Sequence, residues 1–161
     1  MPTTGALVWQ LAMRWRSAVD RAVAPLGLTH AQYVALASLR GLAARGERPS
    51  QRRLAGWTGL GTIYVSKLVR ALEADGLIER APDPSDARAV QITLTERGRD
   101  VADRAIPIVR ALDRDLTAVL GGPGSDEVGA LGDALRSLLR TAPQPGAVSY
   151  THLTLPTIYS V

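Results

Sequence analysis

The chain has 161 residues, 46% of them apolar, which is enough for one domain with a real hydrophobic core and too apolar for a disordered chain. It contains no cysteine, which excludes disulfides, thiolate zinc sites and thiol-based redox sensing, and no apolar run of the ~18 residues that would read as a membrane span. The net charge of +4 and the pI of about 10.1 are compatible with a nucleic-acid partner but do not by themselves specify one.

Met1 to Gly5 lack the basic-then-apolar order of a signal peptide, so a cytoplasmic protein is expected. Leu7 to Ala24 read as an amphipathic helix. Val8, Leu11, Ala12, Trp15, Val19, Ala22 and Val23 recur at helical spacing, while Arg14, Arg16, Asp20 and Arg21 lie mostly elsewhere. Pro25 and Gly27 stop this helix. Thr29, with Gln32 three residues on, forms a capping-box pattern for a second helix from His30 to about Ala44. That helix is apolar nearly all round, through Val34, Leu36, Ala37, Leu39 and Leu42, so burial on several sides is expected. Arg45 to Pro49 form a polar loop. Ser50 then caps a short helix, Gln51 to Trp57, expected to present Leu54, Ala55 and Trp57 to the core. Thr58 to Gly61 make a turn, and a fourth helix runs from Thr62 to Ala74 with Gly76 past its end.

The period then changes. Leu77 to Arg80 read as a short strand, Pro82 to Asp86 as a turn, and Val90, Ile92 and Leu94 alternate with polar residues as a half-buried strand. A long helix opens at Thr95 or Glu96 and runs to about Leu120, with a kink or break expected at Pro107. Gly121 to Gly124 form a linker, and Ser125 caps a last helix to about Arg140. From Thr141 onward His152 is the only titratable side chain apart from tyrosines, and Ser149 to Pro156 resemble translated cloning read-through. That tail is set apart from the fold as non-native or disordered, the alternative being an extended arm that packs on a partner subunit.

Helix, turn, helix and hairpin in this order describe a winged helix-turn-helix, mainly α with a small β-hairpin wing (α+β). In such a unit the second helix of the pair needs one apolar stripe to hold it on the domain. It also needs an opposite face whose side chains reach base edges in a major groove about 12 Å wide. The fourth helix supplies both. Val65, Leu68, Val69 and Leu72 form the stripe, and Thr62, Ile63, Tyr64, Ser66, Lys67 and Arg70 face outward. Lys67 suits guanine O6 and N7 or a phosphate, Ile63 and Tyr64 suit a thymine methyl, and Thr62 and Ser66 suit either base or phosphate. The plainer reading of such a face is simple solvation; the flanking turn and hairpin favour DNA. Ser50, Gln51, Arg52 and Arg53 open the third helix as candidate phosphate contacts, against the alternative of an ordinary cap with exposed arginines. From Arg45 to Arg99 there are ten basic and seven acidic residues, so this middle stretch is basic without being a polycation.

Three stretches carry a family resemblance. Glu73 to Arg80 lead into Asp83-Pro84-Ser85-Asp86-Ala87-Arg88, and then into Val90 to Gly98 with its Leu94-Thr95 and Gly98. With the helix start at Leu28 to Tyr33, the chain resembles the MarR family of transcriptional regulators over about residues 5–141. The resemblance implies a wing-tip Arg88 entering the minor groove and an Asp86 that orients wing arginines. Many family members carry a second arginine where this chain has Ala87. It further implies a homodimer on a palindromic double-stranded DNA operator, a default role as repressor, and release by a small aromatic or phenolic effector. Candidate pocket residues are Trp9, Met13, Arg16, His30 and Tyr33, with core or dimer-interface roles as the alternative. The expected division is an N-terminal dimerisation helix over 1–28, the winged unit over 29–98, C-terminal dimerisation helices over 99–141 and the tail over 142–161.

An enzyme is not expected. Two histidines, one of them in the tail, and the lack of a metal-ligand cluster, phosphate loop or nucleophile motif leave nothing for catalysis, and no cofactor or metal is implied. The remaining alternative is a winged helix used for protein–protein contact without specific DNA binding. A buried or acid-neutralised surface around Lys67, Arg70 and Arg88 would favour it.

Overall fold

The computed structural model describes residues 1–84, 86 and 89–142. The Arg88 position and the tail from residue 143 onward therefore lie outside the described residues. Helix α1 (Thr4–Val23) starts three residues earlier than its apolar spacing suggests, because Thr3 accepts the Ala6 N–H at 3.2 Å and sets the cap there. A single 3₁₀ turn, Ala24–Leu26, holds Pro25 and ends on Gly27 at φ 73. Helix α2 (His30–Ala43) opens on the full capping box of Thr29 and Gln32. Helix α3 (Gln51–Thr58) is capped by Ser50, and helix α4 (Thr62–Ala74) follows the turn at Gly59.

Strands β1 (Ile78–Pro82) and β2 (Val90–Leu94) pair antiparallel, with Ile78 opposite Leu94 and Arg80 opposite Ile92. Period two puts Val90, Ile92 and Leu94 on one face, of which Ile92 and Leu94 are buried while Val90, opposite Pro82 at the far end of the hairpin, is exposed. The loop before α3 adds a stub to this hairpin. Ile92 donates its N–H to the Pro49 carbonyl at 2.9 Å, and Ser50 bridges Gln91. Helix α5 (Glu96–Thr117) is continuous across Pro107, so of the expected kink or break the break does not occur. Proline removes one donor, and here both Pro107 and Asp103, whose carbonyl loses its partner, are exposed to water. A 3₁₀ turn at Ala118–Leu120 and the Gly121 corner lead into helix α6 (Asp126–Thr141).

One core joins the C-terminal end of α1 (Val19, Val23), α2, α3, α4, the hairpin and the first part of α5 (Ala102, Ala105, Val109). The expected core position of Trp57 is corrected: its side chain is 53% exposed, with the Arg45 guanidinium carbon 5.5 Å from the ring centroid. Thr58 lies four residues after Leu54 and three after Ala55, so it continues their inward face and turns Trp57 to the flank. The N-terminal half of α1, the end of α5 and all of α6 contribute no apolar residue to this core. Leu7, Val8, Leu11, Leu116, Leu131, Leu135, Leu138 and Leu139 remain exposed on them.

Candidate nucleic-acid interface

The recognition surface is built from α4 outward. Val65, Leu68, Val69 and Leu72 are buried, which fixes the rotation of the helix on the domain. Ile63, Lys67 and Arg70, at spacings of four and three, form the ridge opposite that stripe and are exposed. Tyr64 and Thr62 flank the ridge and are also exposed, while Ser66 is half-buried. Arg70 folds along its own helix, donating from Nη2 to Ser66 Oγ at 3.1 Å and from Nε to the Ser66 carbonyl at 3.3 Å. Among the described residues Lys67 has no ion-pair partner. The surface at Lys67 and Arg70 is thus open to water and not neutralised by acid.

Two clamps hold the wing against α4. Arg80 on β1 binds Glu73 on α4, Nε to Oε2 at 2.8 Å, and this hydrogen bond holds the Glu73 carboxyl below its ordinary range. On the other side Thr95 Oγ1 donates to the Gly76 carbonyl at 2.8 Å and accepts the Gly98 N–H at 2.9 Å. The Thr95 N–H meets the Leu77 carbonyl, and Arg97 reaches the Asp75 carbonyl at 3.0 Å. The start of α5 is thereby tied to the corner between α4 and β1. Gly98 sits in that corner, where an added Cβ would lie 1.9 Å from the Leu77 carbonyl oxygen. The sequence motif places Gly98; the contact that requires it is visible only in the fold.

The wing turn closes on itself. Asp83 donates its N–H to the Ala89 carbonyl at 2.9 Å, and Ala89 donates to the Asp86 carbonyl at 2.9 Å. Because Pro49 and Ser50 pair with β2 at Ile92 and Gln91, the start of α3 lies beside the wing. Ser50, Gln51 and Arg52 line one cleft of about 450 Å³ with Asp86, Ala89 and Val90. Ser50 Oγ accepts the Arg53 N–H, and the Arg53 guanidinium pairs with Glu47, whereas Arg52 is exposed. Of the four candidate phosphate contacts, Arg53 is therefore already engaged within the chain.

The candidate ligand residues fall into three places. Trp9 and Met13 lie on the exposed half of α1. Arg16 and His30 meet at the junction of α1 and α2 around Asp20, whose carboxylate accepts the His30 backbone N–H and lies 4.0 Å from Arg16. Burial lowers the His30 imidazole below its ordinary 6.5, with Asp20 opposing and Arg16 adding to the shift. Tyr33 lines a groove of about 610 Å³ between α2 and α5, with Arg40, Asp103, Ile106, Pro107 and Arg110. Burial raises the Tyr33 phenol, and Arg110 opposes that shift. Arg40 is held by Asp103 at 2.8 Å. Asp20, Arg40, Asp103 and Arg110 were not singled out in the sequence, where charges on amphipathic helices look like any solvated face. Among the described residues no cluster of His, Asp or Glu is arranged to hold a metal, and no helix is long and apolar enough to cross a membrane.

An apolar-anchored second helix with an open basic ridge, followed by a clamped hairpin, defines a winged helix-turn-helix DNA-binding protein. The MarR family matches residues 28–90. The chain is 40% identical over 110 residues to the HTH-type transcriptional regulator YdcH of Bacillus subtilis (strain 168), an alignment spanning 68% of this chain and 75% of that protein. It is 32% identical over 123 residues to an HTH-type transcriptional repressor of Mycobacterium tuberculosis (strain ATCC 25618 / H37Rv), spanning 76% of this chain and 86% of that one. In fold it is similar to the S. aureus MepR–DNA complex, with a TM-score of 0.77, 22% identity and coverage of 88% of this chain and 100% of that one. It is also similar to Bordetella bronchiseptica BpsR, whose DNA binding is regulated by 6-hydroxynicotinic acid, with a TM-score of 0.72, 25% identity and coverage of 85% and 93%. The chain belongs to the MarR family of transcription regulators, and the reading of a DNA-binding regulator rather than an enzyme follows from that membership.

Proposed function

We propose that the protein is a sequence-specific repressor that binds a palindromic double-stranded DNA operator as a homodimer and is released by a small organic anion. The observation that carries the DNA reading is the ridge of Ile63, Lys67 and Arg70, exposed on α4 directly opposite its buried stripe. Thr62, Tyr64 and Ser66 flank it as base or phosphate contacts. Ser50, Gln51 and Arg52 supply phosphate contacts beside the wing, and Arg88 enters the minor groove as the family resemblance implies, with Asp86 orienting it.

The dimer reading rests on apolar surface left over by the single-chain core. Val8, Leu11, Ala12, Trp15, Leu116 and Leu135 line one apolar cleft of about 370 Å³ between α1, α5 and α6. A contiguous patch of this kind is costly to leave in water. Helices over 1–28 and 99–141 then form the interface, and the unit over 29–98 reads DNA. A two-fold axis places two recognition helices about one helical turn apart. The effector reading rests on the α2–α5 groove, where the Tyr33 ring and the Arg110 cation suit an aromatic carboxylate or phenolate, and on the ligand response of BpsR.

Fluorescence anisotropy on labelled DNA from the protein's own upstream region, against scrambled DNA at two salt concentrations, tests this function. Preference for the upstream DNA that survives the higher salt is the expected result, with release on adding an aromatic acid. Equal and wholly salt-sensitive binding to both DNAs would overturn sequence specificity.

A further inference from the structure

We propose that Ile63 reads the C5-methyl group of thymine in each operator half-site, so that base preference there is set by an apolar contact and not by a hydrogen bond. The inference rests on the DNA-binding reading above. At 100° per residue, Ile63 points about 170° away from the centre of the Val65, Leu68, Val69 and Leu72 stripe. Its side chain is 78% exposed, yet it leads a ridge whose next two members are Lys67 and Arg70. Those cations suit a polyanion, which commits the ridge to nucleic acid. Recognition helices enter the major groove by their N-terminal residues, and Ile63 is the second residue of α4. The groove edge of the bases offers one apolar group, the thymine methyl. Branching at Cβ restricts χ1, so Ile63 has less side-chain freedom to lose on meeting that methyl than an unbranched residue would. Neighbouring Thr62 and Lys67 carry the hydrogen-bonding capacity of the same turn, and Tyr64, less exposed than Ile63, lies about 100° round the helix from it and off the ridge, which leaves Ile63 the methyl contact.

The test uses the full chain and an operator selected from random-sequence DNA. Each thymine is replaced in turn by deoxyuridine, which removes the methyl and keeps every hydrogen-bonding group. One symmetric pair of positions is expected to lose about fourfold in affinity per half-site, or roughly fifteenfold when both carry uracil. Ile63→Ala is expected to bind the thymine and uracil operators equally, and Ile63→Val to keep part of the discrimination. Both variants should melt close to the parent, since Ile63 is mostly exposed and buries little surface in the fold. Uracil operators bound as tightly as thymine ones at every position, or an Ile63→Ala protein that keeps the thymine preference, would overturn the proposal while leaving a DNA-binding regulator intact. Failure to enrich any sequence would instead overturn the DNA reading, and this inference with it.

Discussion

Replacing Gly98 by alanine tests the clamp between wing and recognition helix. Gly98 is the third residue of α5 and is buried. Its new Cβ would lie 1.9 Å from the Leu77 carbonyl oxygen and 2.8 Å from the carbonyl carbon, both backbone atoms with no rotamer to give. An ordinary C···O approach is about 3.3 Å, so the start of α5 must retreat by about 1.4 Å. Overpacking of this kind costs about 1–3 kcal/mol. The retreat also breaks the bonds from Thr95 to the Leu77 and Gly76 carbonyls, at about 1 kcal/mol each. Alanine's helix preference returns about 1 kcal/mol, which leaves a net loss of about 2–4 kcal/mol. For a chain of this size that lowers the melting point by roughly 5–15 °C. Urea and thermal unfolding followed by circular dichroism read it, at one protein concentration because dimerisation makes the midpoint concentration-dependent. Gly41→Ala is the control: it sits within α2 with nothing within 4 Å of its added Cβ, and should be neutral or slightly stabilising. Operator affinity of Gly98→Ala should fall as well, since the hairpin is re-aimed. A variant as stable as the parent would refute the clamp.

Four further outcomes are expected. Lys67→Ala should weaken operator binding and reduce the slope of log affinity against log salt by about one per protomer, and Arg88→Ala, on the family resemblance, should do the same; unchanged affinity in either would remove that residue from the interface. Leu135→Glu, in the apolar cleft beside Leu11 and Leu116, should give a monomer by light scattering with strongly reduced operator affinity, whereas a persistent dimer would place the interface elsewhere. His30 has its imidazole lowered below 6.5 by burial, so the unfolded chain takes up the proton first as pH falls. Stability should therefore be fully present above about pH 6.5 and decline as pH falls through the window beneath it, and His30→Gln should flatten that decline relative to the parent in unfolding curves taken at several pH values.

The order of elements and the faces of α4 were legible without coordinates because both are local. Thr29, Ser50, Thr95 and Ser125 are short polar residues ahead of helical runs, and each caps the helix that follows it. The spacing of Val65, Leu68, Val69 and Leu72 orients Ile63, Lys67 and Arg70 outward whatever the rest of the chain does. Other features depend on segments far apart in the chain. Pro49 pairing with Ile92 brings α3 to the wing, and Leu77 approaching Gly98 makes a glycine obligatory there. Asp103 facing Arg40 holds α2 to α5, and the pocket candidates divide between the exposed half of α1, the Asp20 corner and the Tyr33 groove. Trp57 shows the boundary: its hydrophobicity suggested the core, but the packing of Leu54, Ala55 and Thr58 took the inward positions and left the ring under Arg45. Periodicity reports which way a side chain points from its own helix, and only the docking of helices decides what it meets.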